Sequence, residues 1–272
     1  MNTQEPALFD THIVGPIRSR RLGLSLGVNL LPLGRKVCTF DCLYCECGWT
    51  PRGGRRVGEE GGRPEETRLP DADAIIAQLE ARLEQMSADG TLPDTITFAG
   101  NGEPTLHPRF AYAIDRTLAL RDRYCPEARV SVLSNATRIG CPDVYRALMS
   151  IDAAILKIDA GTDTTARLID RPLDPGYSLA RVVEEMKAFR GRLTVQTMFV
   201  RGEADGQTVD NTTPAEAEAW RALVRRVAPA EVMVYSLDRP TPQRGLSKVP
   251  RAELEVLAAP LVAEGFNVQV TG

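Results

Sequence analysis

The sequence is short of several things, and each shortage narrows the reading. Histidine occurs twice in 272 residues, at His12 and His107. His12 is expected at the surface or at a cap, and His107, just before Pro108, as a helix cap or a supporting group. No run approaches the roughly 18 apolar residues that a membrane span needs. Met1 to Asp10 has no basic segment followed by an apolar core, so no signal peptide is expected. Neither sign of charge dominates: the formal net charge is −3 and the pI about 5.6. That balance gives no global attraction to nucleic acid, although a local basic patch stays open. No internal repeat, linker or second domain is visible. At 43% hydrophobic and 25% charged residues, the chain suits one large domain with a real core.

What is present is concentrated. Three of the six cysteines, Cys38, Cys42 and Cys45, fall within eight residues. The spacing C-x3-C-x2-C can close on one metal centre. Structural zinc sites want four ligands, usually in two separated pairs. Cys47 could supply a fourth thiolate, but four ligands within ten residues would cramp the backbone. An odd triplet argues against disulfides. An iron–sulfur cube fits better, and with three ligands one iron would stay open to a substrate or cofactor. Clustered, reduced thiols place the chain in the cytoplasm. Cys125 and Cys141 are expected as small buried hydrophobes, and Cys47 as a thiol near the cluster.

Along the chain, strand and helix patterns alternate about six times. Strands are expected at Gly27–Leu31, Thr95–Ala99, Val130–Leu133, Ala153–Ile158, Leu193–Val200, Val232–Tyr235 and Phe266–Val270. Between them, Ile75, Ile76, Leu79, Leu83 and Met86 share one helical face, with aspartates at its start. Further helices open at Pro108, at Pro142, near Leu179, at Thr213-Pro214 with a capping threonine, and at Pro250, where Pro260 should kink or end the helix. Residues 1–12 read as a loose start. Residues 46–70, rich in Gly, Arg, Glu and Pro, read as a mobile loop whose charges neutralise each other. Arg18, Arg20 and Arg21 are either an anion contact or a solvated turn.

The alternation implies a parallel sheet with crossover helices, either doubly wound or curved into a barrel. Five strand ends carry polar groups: Asn101 and Glu103, Ser134 and Asn135, Lys157 and Asp159, Gln196, then Tyr235 and Asp238. In barrel enzymes chemistry gathers at those ends. Five in sequence suggest a polar ring around one cavity mouth.

The cysteine spacing, with Tyr44 before the last cysteine, resembles the radical S-adenosylmethionine (SAM) superfamily. Gly15–Gly23 with Ser25–Val28, Gly100–Thr105 and Val234–Pro240 resemble the subgroup of the wybutosine-tRNA synthases and their bacterial relatives. The similarity covers residues 13–270. It implies an α/β fold, a partial (β/α)6 TIM-like barrel in a single domain, with the cluster loop after the first strand. Cys38, Cys42 and Cys45 would ligate a [4Fe–4S] cluster. Gly102 and Glu103 would hold the SAM amino group, with Asn101 departing from the commonest form of that motif. Ser134 and Asn135 would meet the ribose, and Lys157 and Asp159 the SAM carboxylate and ribose. Gln196 would contact SAM or substrate, and Tyr235, Leu237 and Tyr44 would line the adenine, Tyr44 chiefly through its backbone.

The resemblance further implies a flavodoxin- or ferredoxin-type reductant and cleavage of SAM to a 5′-deoxyadenosyl radical that takes hydrogen from a substrate. That substrate would be a tRNA, a nucleotide or a small molecule; aminocarboxypropyl transfer is the variant chemistry. The wybutosine enzymes carry a second cluster on cysteines upstream of the SAM motif, and this chain has none before Cys38. The chain is expected to be a monomer. A metal-stabilised RNA-binding module is the non-enzyme alternative.

Overall fold

The computed structural model describes residues 7–19, 23–51, 69–239 and 241–272. The predicted alternation becomes one ten-stranded sheet. β1 (Ile13–Ser19) pairs antiparallel with β2 (Gly23–Val28). From β2 the sheet runs parallel through β3 (Thr95–Phe98), β4 (Arg129–Ser134), β5 (Ala153–Lys157), β6 (Thr194–Ala204), β8 (Glu231–Ser236) and β10 (Val268–Thr271). β7 (Gln207–Asp210) and β9 (Leu246–Lys248) pair antiparallel with the far half of β6. Among the described residues β1 and β10 do not pair with each other, so the barrel is partial and open.

Its curvature follows from which side chains face which way. All four residues of β3, Thr-Ile-Thr-Phe, are buried. Phe98 meets Phe110 of helix α2 (Phe110–Tyr124) edge to face, at 6.3 Å between centroids. Thr97, one residue earlier, therefore points the other way. Its hydroxyl bonds Ser25 at 2.8 Å and Ser131 at 3.0 Å across the neighbouring strands. Apolar side chains thus seal the helix side, and small hydroxyls bond one another on the concave side.

Helix α1 (Ala72–Ala88) buries the five apolar residues that its periodicity marks, and Asp71 caps it by accepting from the Asp73 amide. α3 (Pro142–Ser150) and α5 (Leu179–Lys187) start where expected. In α6 (Pro214–Val227), Thr213 Oγ1 accepts from the Glu216 amide. The Glu216 carboxylate does not turn back to its own cap. It crosses to the Gly161 amide and the Thr162 hydroxyl. Trp220 from α6 donates to Thr197 Oγ1 at 2.9 Å, tying that helix to β6.

Several sequence expectations shift. The first parallel strand lies at Gly23–Val28, four residues before the expected start, because β1 pairs alongside it. A short helix, α4 (Asp163–Ile169), was not expected, nor were β7 and β9. Helix α7 (Arg251–Ala263) runs through Pro260 and ends three residues later. The missing amide costs one hydrogen bond near the helix end. Residues 7–9, expected to be loose, are tied down: the Ala7 amide bonds the Glu46 carbonyl and Phe9 bonds Asn101. Arg20 and Arg21, and most of the segment read as a mobile loop, lie outside the described residues.

Candidate active site

The cysteine loop follows β2 and is clamped on both flanks by main-chain bonds. On one flank the Val37 amide donates to the Asn101 carbonyl at 2.8 Å, and the Glu103 amide to the Val37 carbonyl at 2.9 Å. Gly102, between them, has φ +134°, and a Cβ there would stand 1.8 Å from the Val37 carbonyl oxygen. Only glycine permits that approach. On the other flank the segment after α4 runs antiparallel to the loop. The Asp41 amide donates to the Asp170 carbonyl (3.0 Å), Leu43 to Ile169 (2.9 Å) and Leu173 to Thr39 (2.9 Å).

Asn101, fully buried, fastens the first flank. Its amide nitrogen donates to the carbonyls of Phe9, Pro32 and Leu33, and its oxygen accepts from the Phe9 amide. The departure from the commonest motif is thus a residue that stitches three segments together.

All three cysteines of the triplet are free thiols, as is Cys47. Among the described residues no three His, Cys, Asp or Glu side chains converge on a single ion position. Three cysteine thiolates are the protein donor set of a cube that leaves one iron open. Burial pushes the Cys38 thiol up to about 12, and Cys42 also upward. Cys45 is lowered to about 5 by hydrogen bonding from Cys47 and by Lys36. Cys125 is buried and Cys141 half-buried.

The polar strand ends meet at the same face. Glu103, 2% exposed, accepts at Oε1 from the Thr105 amide (3.1 Å), the Thr105 hydroxyl (2.6 Å) and Ser134 Oγ (2.9 Å). At Oε2 it accepts from the Asn135 amide (2.7 Å). Burial raises its pKa against those bonds. Asn135 Nδ2 reaches Thr39 Oγ1 at 2.8 Å and Cys38 Sγ at 3.6 Å. One chain of bonds therefore links Glu103, Asn135 and the first cysteine.

A second network lies under Cys42. Lys157 ends β5 and bonds Asp159 at 2.9 Å, with Asp170 at 3.9 Å. Tyr44 bonds both Lys157 and Asp159 through its hydroxyl, and the Lys157 ammonium stands 4.6 Å from the Tyr44 ring centroid. The other Asp159 oxygen accepts from the Met198 amide at 2.7 Å. Cys42 Sγ lies 3.5 Å from Asp170 Oδ1. Burial, then Asp159, pushes Asp170 up to about 8. Gln196 pairs in register with Lys157, and Tyr235 sits on β8 beside Met198. Leu237 is buried just after β8.

Comparison with known proteins agrees with this geometry. Residues 36–211 match the model of the radical SAM superfamily. The chain belongs to that superfamily. It is therefore an enzyme, and the cofactors of this radical SAM chain are a [4Fe–4S] cluster and SAM. A UPF0026 protein of Helicobacter pylori is 26% identical over 261 residues, covering 95% of this chain and 75% of that one. A protein of Brachyspira hyodysenteriae named GTPase Obg is 25% identical over 258 residues; the chain spans 34% of its length. Among solved structures, a radical SAM methyltransferase from Sphaerobacter thermophilus superposes with a TM-score of 0.64 at 18% identity, covering 91% of this chain and 65% of that one. TYW1 with a lysine-pyruvate adduct bound gives 0.59 at 15% identity, covering 89% and 74%. These structures share the partial barrel. No helix among the described residues is long and apolar enough to cross a membrane.

Three residues of the site carried no expectation. Lys36 lies among the thiols, Asp170 touches Cys42, and Asn211 is buried, with Nδ2 donating to the carbonyls of Asp159 and Met198. A lysine two places before the first cysteine was the one readable hint.

Proposed function

We propose that Cys38, Cys42 and Cys45 hold the cluster and that SAM lies against Glu103, Ser134 and Asn135, its adenine toward Tyr44, Tyr235 and Leu237. The observation that carries this reading is the bonded path from Cys38 through Asn135 to Glu103. It puts the first thiol within reach of the same asparagine whose amide bonds the strand-end carboxylate. Held by Cys38, Cys42 and Cys45, the cluster would supply low-potential reducing power for radical chemistry on SAM, expected to yield 5′-deoxyadenosine.

The chain's own residues bind and orient. Glu103 Oε2 carries one protein donor and retains an acceptor site for an ammonium, as a charge-assisted bond. Gly102 lets the chain pass close to the Val37 carbonyl, and its backbone stays the expected contact of the SAM amino group. Lys157 supplies positive charge near the opening, and Gln196 lies beside it. Asp159 has both oxygens engaged by protein donors, so its role is to hold Lys157 and Tyr44 in place.

The substrate class follows subgroup resemblance: a tRNA or a nucleotide, with a small molecule as the second reading. A flavodoxin or ferredoxin would deliver the electron.

The test is anaerobic reconstitution with iron and sulfide, then dithionite and SAM, with nucleoside products read by mass spectrometry. 5′-Deoxyadenosine supports the proposal, and methylthioadenosine redirects it to aminocarboxypropyl chemistry. Cys42→Ala should abolish both while the barrel stays folded.

A further inference from the structure

Three buried polar side-chain atoms among the described residues have no hydrogen-bond partner: Asn29 Nδ2, Thr117 Oγ1 and Gln269 Oε1. Thr117 lies on the buried face of α2. Asn29 fastens the chain after β2 through its oxygen, which accepts the Leu31 and Asn101 amides. Gln269 stands elsewhere, on β10, the strand at the open edge of the barrel. Strand register fixes the face it belongs to. Leu156, Val195, Val232 and Val268 make one apolar row across four strands, packed into the helix-side core. The row beside it is Lys157, Gln196, Met233 and Gln269. Successive strand residues face opposite ways, so this second row lines the concave side. Gln196 and Gln269 are half-buried, and Met233 between them is buried. Tyr235, assigned above to the adenine, pairs with Thr271, so the row lies one level deeper in the barrel.

An unpaired buried acceptor destabilises a fold unless a donor arrives from outside the chain. Lys157, at the head of the row, is matched by Asp159 at 2.9 Å. The two carboxamides, flat and uncharged, are left to meet a ligand. We propose that Gln269 is a specificity-determining residue of the substrate site and that it takes a planar lactam edge, an N–H beside a carbonyl. Its Oε1 accepts the N–H and its Nε2 donates to the carbonyl, a two-point pairing of the kind glutamine makes with base edges. Met233 offers its thioether to the ring, and Gln196 stands two strands, about 10 Å, across the sheet. This rests on the radical SAM reading above and names the part of the substrate that enters the barrel. A nucleobase and a small cyclic amide share that edge. The rival role is structural, in which a water satisfies Oε1 and Gln269 only fills space.

The test uses the reconstituted protein with its cluster left oxidised and SAM saturating, so that no turnover occurs. Uridine, inosine and 2-pyridone are titrated against it by ligand-detected nuclear magnetic resonance. Each is run beside its counterpart methylated on the lactam nitrogen. At least one parent should bind, and methylation should weaken it about tenfold, the effect of leaving a buried group unpaired. Gln269→Met should weaken the parent by about the same tenfold, no longer discriminate against the methylated probe, and hold SAM within about twofold of wild type. Binding of uridine or inosine names a nucleobase as the source, and binding of 2-pyridone alone names a small cyclic amide. Parent and methylated probes that bind wild type equally overturn the proposal. So does a Gln269→Met protein with wild-type affinity, or SAM-loaded wild type that binds none of the probes; each leaves the cofactor reading standing. Wild type that binds no SAM sinks both. If Gln269→Met does not fold, Gln269→Asn takes its place, since it keeps the amide but withdraws it by one methylene. The same loss is expected, and wild-type affinity again refutes the proposal.

Discussion

Gly102→Ala separates the two explanations for a glycine in the Gly-Asn-Gly-Glu-Pro segment. If Gly102 serves the cofactor, alanine should leave the cofactor-free protein untouched. The structure gives it a protein partner as well. A Cβ would sit 1.8 Å from the Val37 carbonyl oxygen, at φ +134°, where side chains are strained. Holding a non-glycine residue in such a region costs about 1–3 kcal/mol. Relieving the clash separates Val37 from the 101–103 segment, and with it two backbone bonds of 2.8 and 2.9 Å, each worth ~1 kcal/mol net. The sum is roughly 3–5 kcal/mol, a large share of a typical domain's stability. Urea unfolding of the metal-free protein measures it. Gly90→Ala, at φ +68° with no atom within 4 Å, should show the strain alone, and Gly34→Ala, with open space and no such φ, almost nothing. Gly102→Ala should also load less iron, because Cys38 lies one residue beyond the lost contact. Metal-free Gly102→Ala protein as stable as Gly34→Ala would refute the argument.

Asn101→Ala removes four hydrogen bonds from a fully buried side chain; a loss of about 2–4 kcal/mol is expected, with faster proteolysis near Phe9. Lys157→Met leaves Asp159 buried beside Tyr44 without its cation, and breaking such a pair should cost about 3–5 kcal/mol by urea midpoint. His107 accepts the Arg109 amide at Nδ1, bonds the Pro70 carbonyl at Nε2, and is held below its ordinary 6.5 by burial. The unfolded chain therefore takes the proton first, so its contribution is present above pH 6.5 and lost as pH falls through the lower folded value; His107→Gln should flatten that slope in thermal melts between pH 7 and 5. For Asp170 the sign reverses. Its folded pKa rises from 3.8 to about 8, so its contribution is full below 3.8 and lost as pH rises through about 8. Asp170→Asn should gain on wild type between pH 5 and 8, and parallel curves for the metal-free proteins would contradict the burial argument.

What was legible in the sequence was local. The Ile75 to Met86 stripe, the Thr213-Pro214 cap and the run Thr95 to Phe98 each state their structure within a few residues, and each is found there. β1, β7 and β9 were not legible because their meaning lies in pairing. β9 is three residues long with little apolar content, and only its register against Val200 to Gly202 makes it a strand. α4, at seven residues, is too short to show a period. The cysteine triplet was legible because its ligands are neighbours in sequence. Asp170 was not, because its partner Cys42 is 128 residues away.

The polar strand ends show why a correct pattern can still mislead about roles. Polar residues at five strand ends were read as one ring facing a ligand, and they do gather at one face. Many of them, however, satisfy each other. Asp159 is engaged at both oxygens, Glu103 takes four protein donors, and Asn101 bonds three segments. A buried acceptor already filled by protein has little left for a ligand. Glu103 Oε2 carries one protein donor, against three at Oε1. Loss of SAM binding in Asp159→Ala would therefore not identify a SAM contact. The same result follows if Lys157 and Tyr44 lose their anchor and the cysteine loop shifts. Asp159→Asn keeps an acceptor for the Met198 amide but turns an amide NH2 toward Lys157 and Tyr44, so it too releases the anchor, and a structure of the variant that shows whether the cysteine loop has moved separates a direct contact from a displaced one.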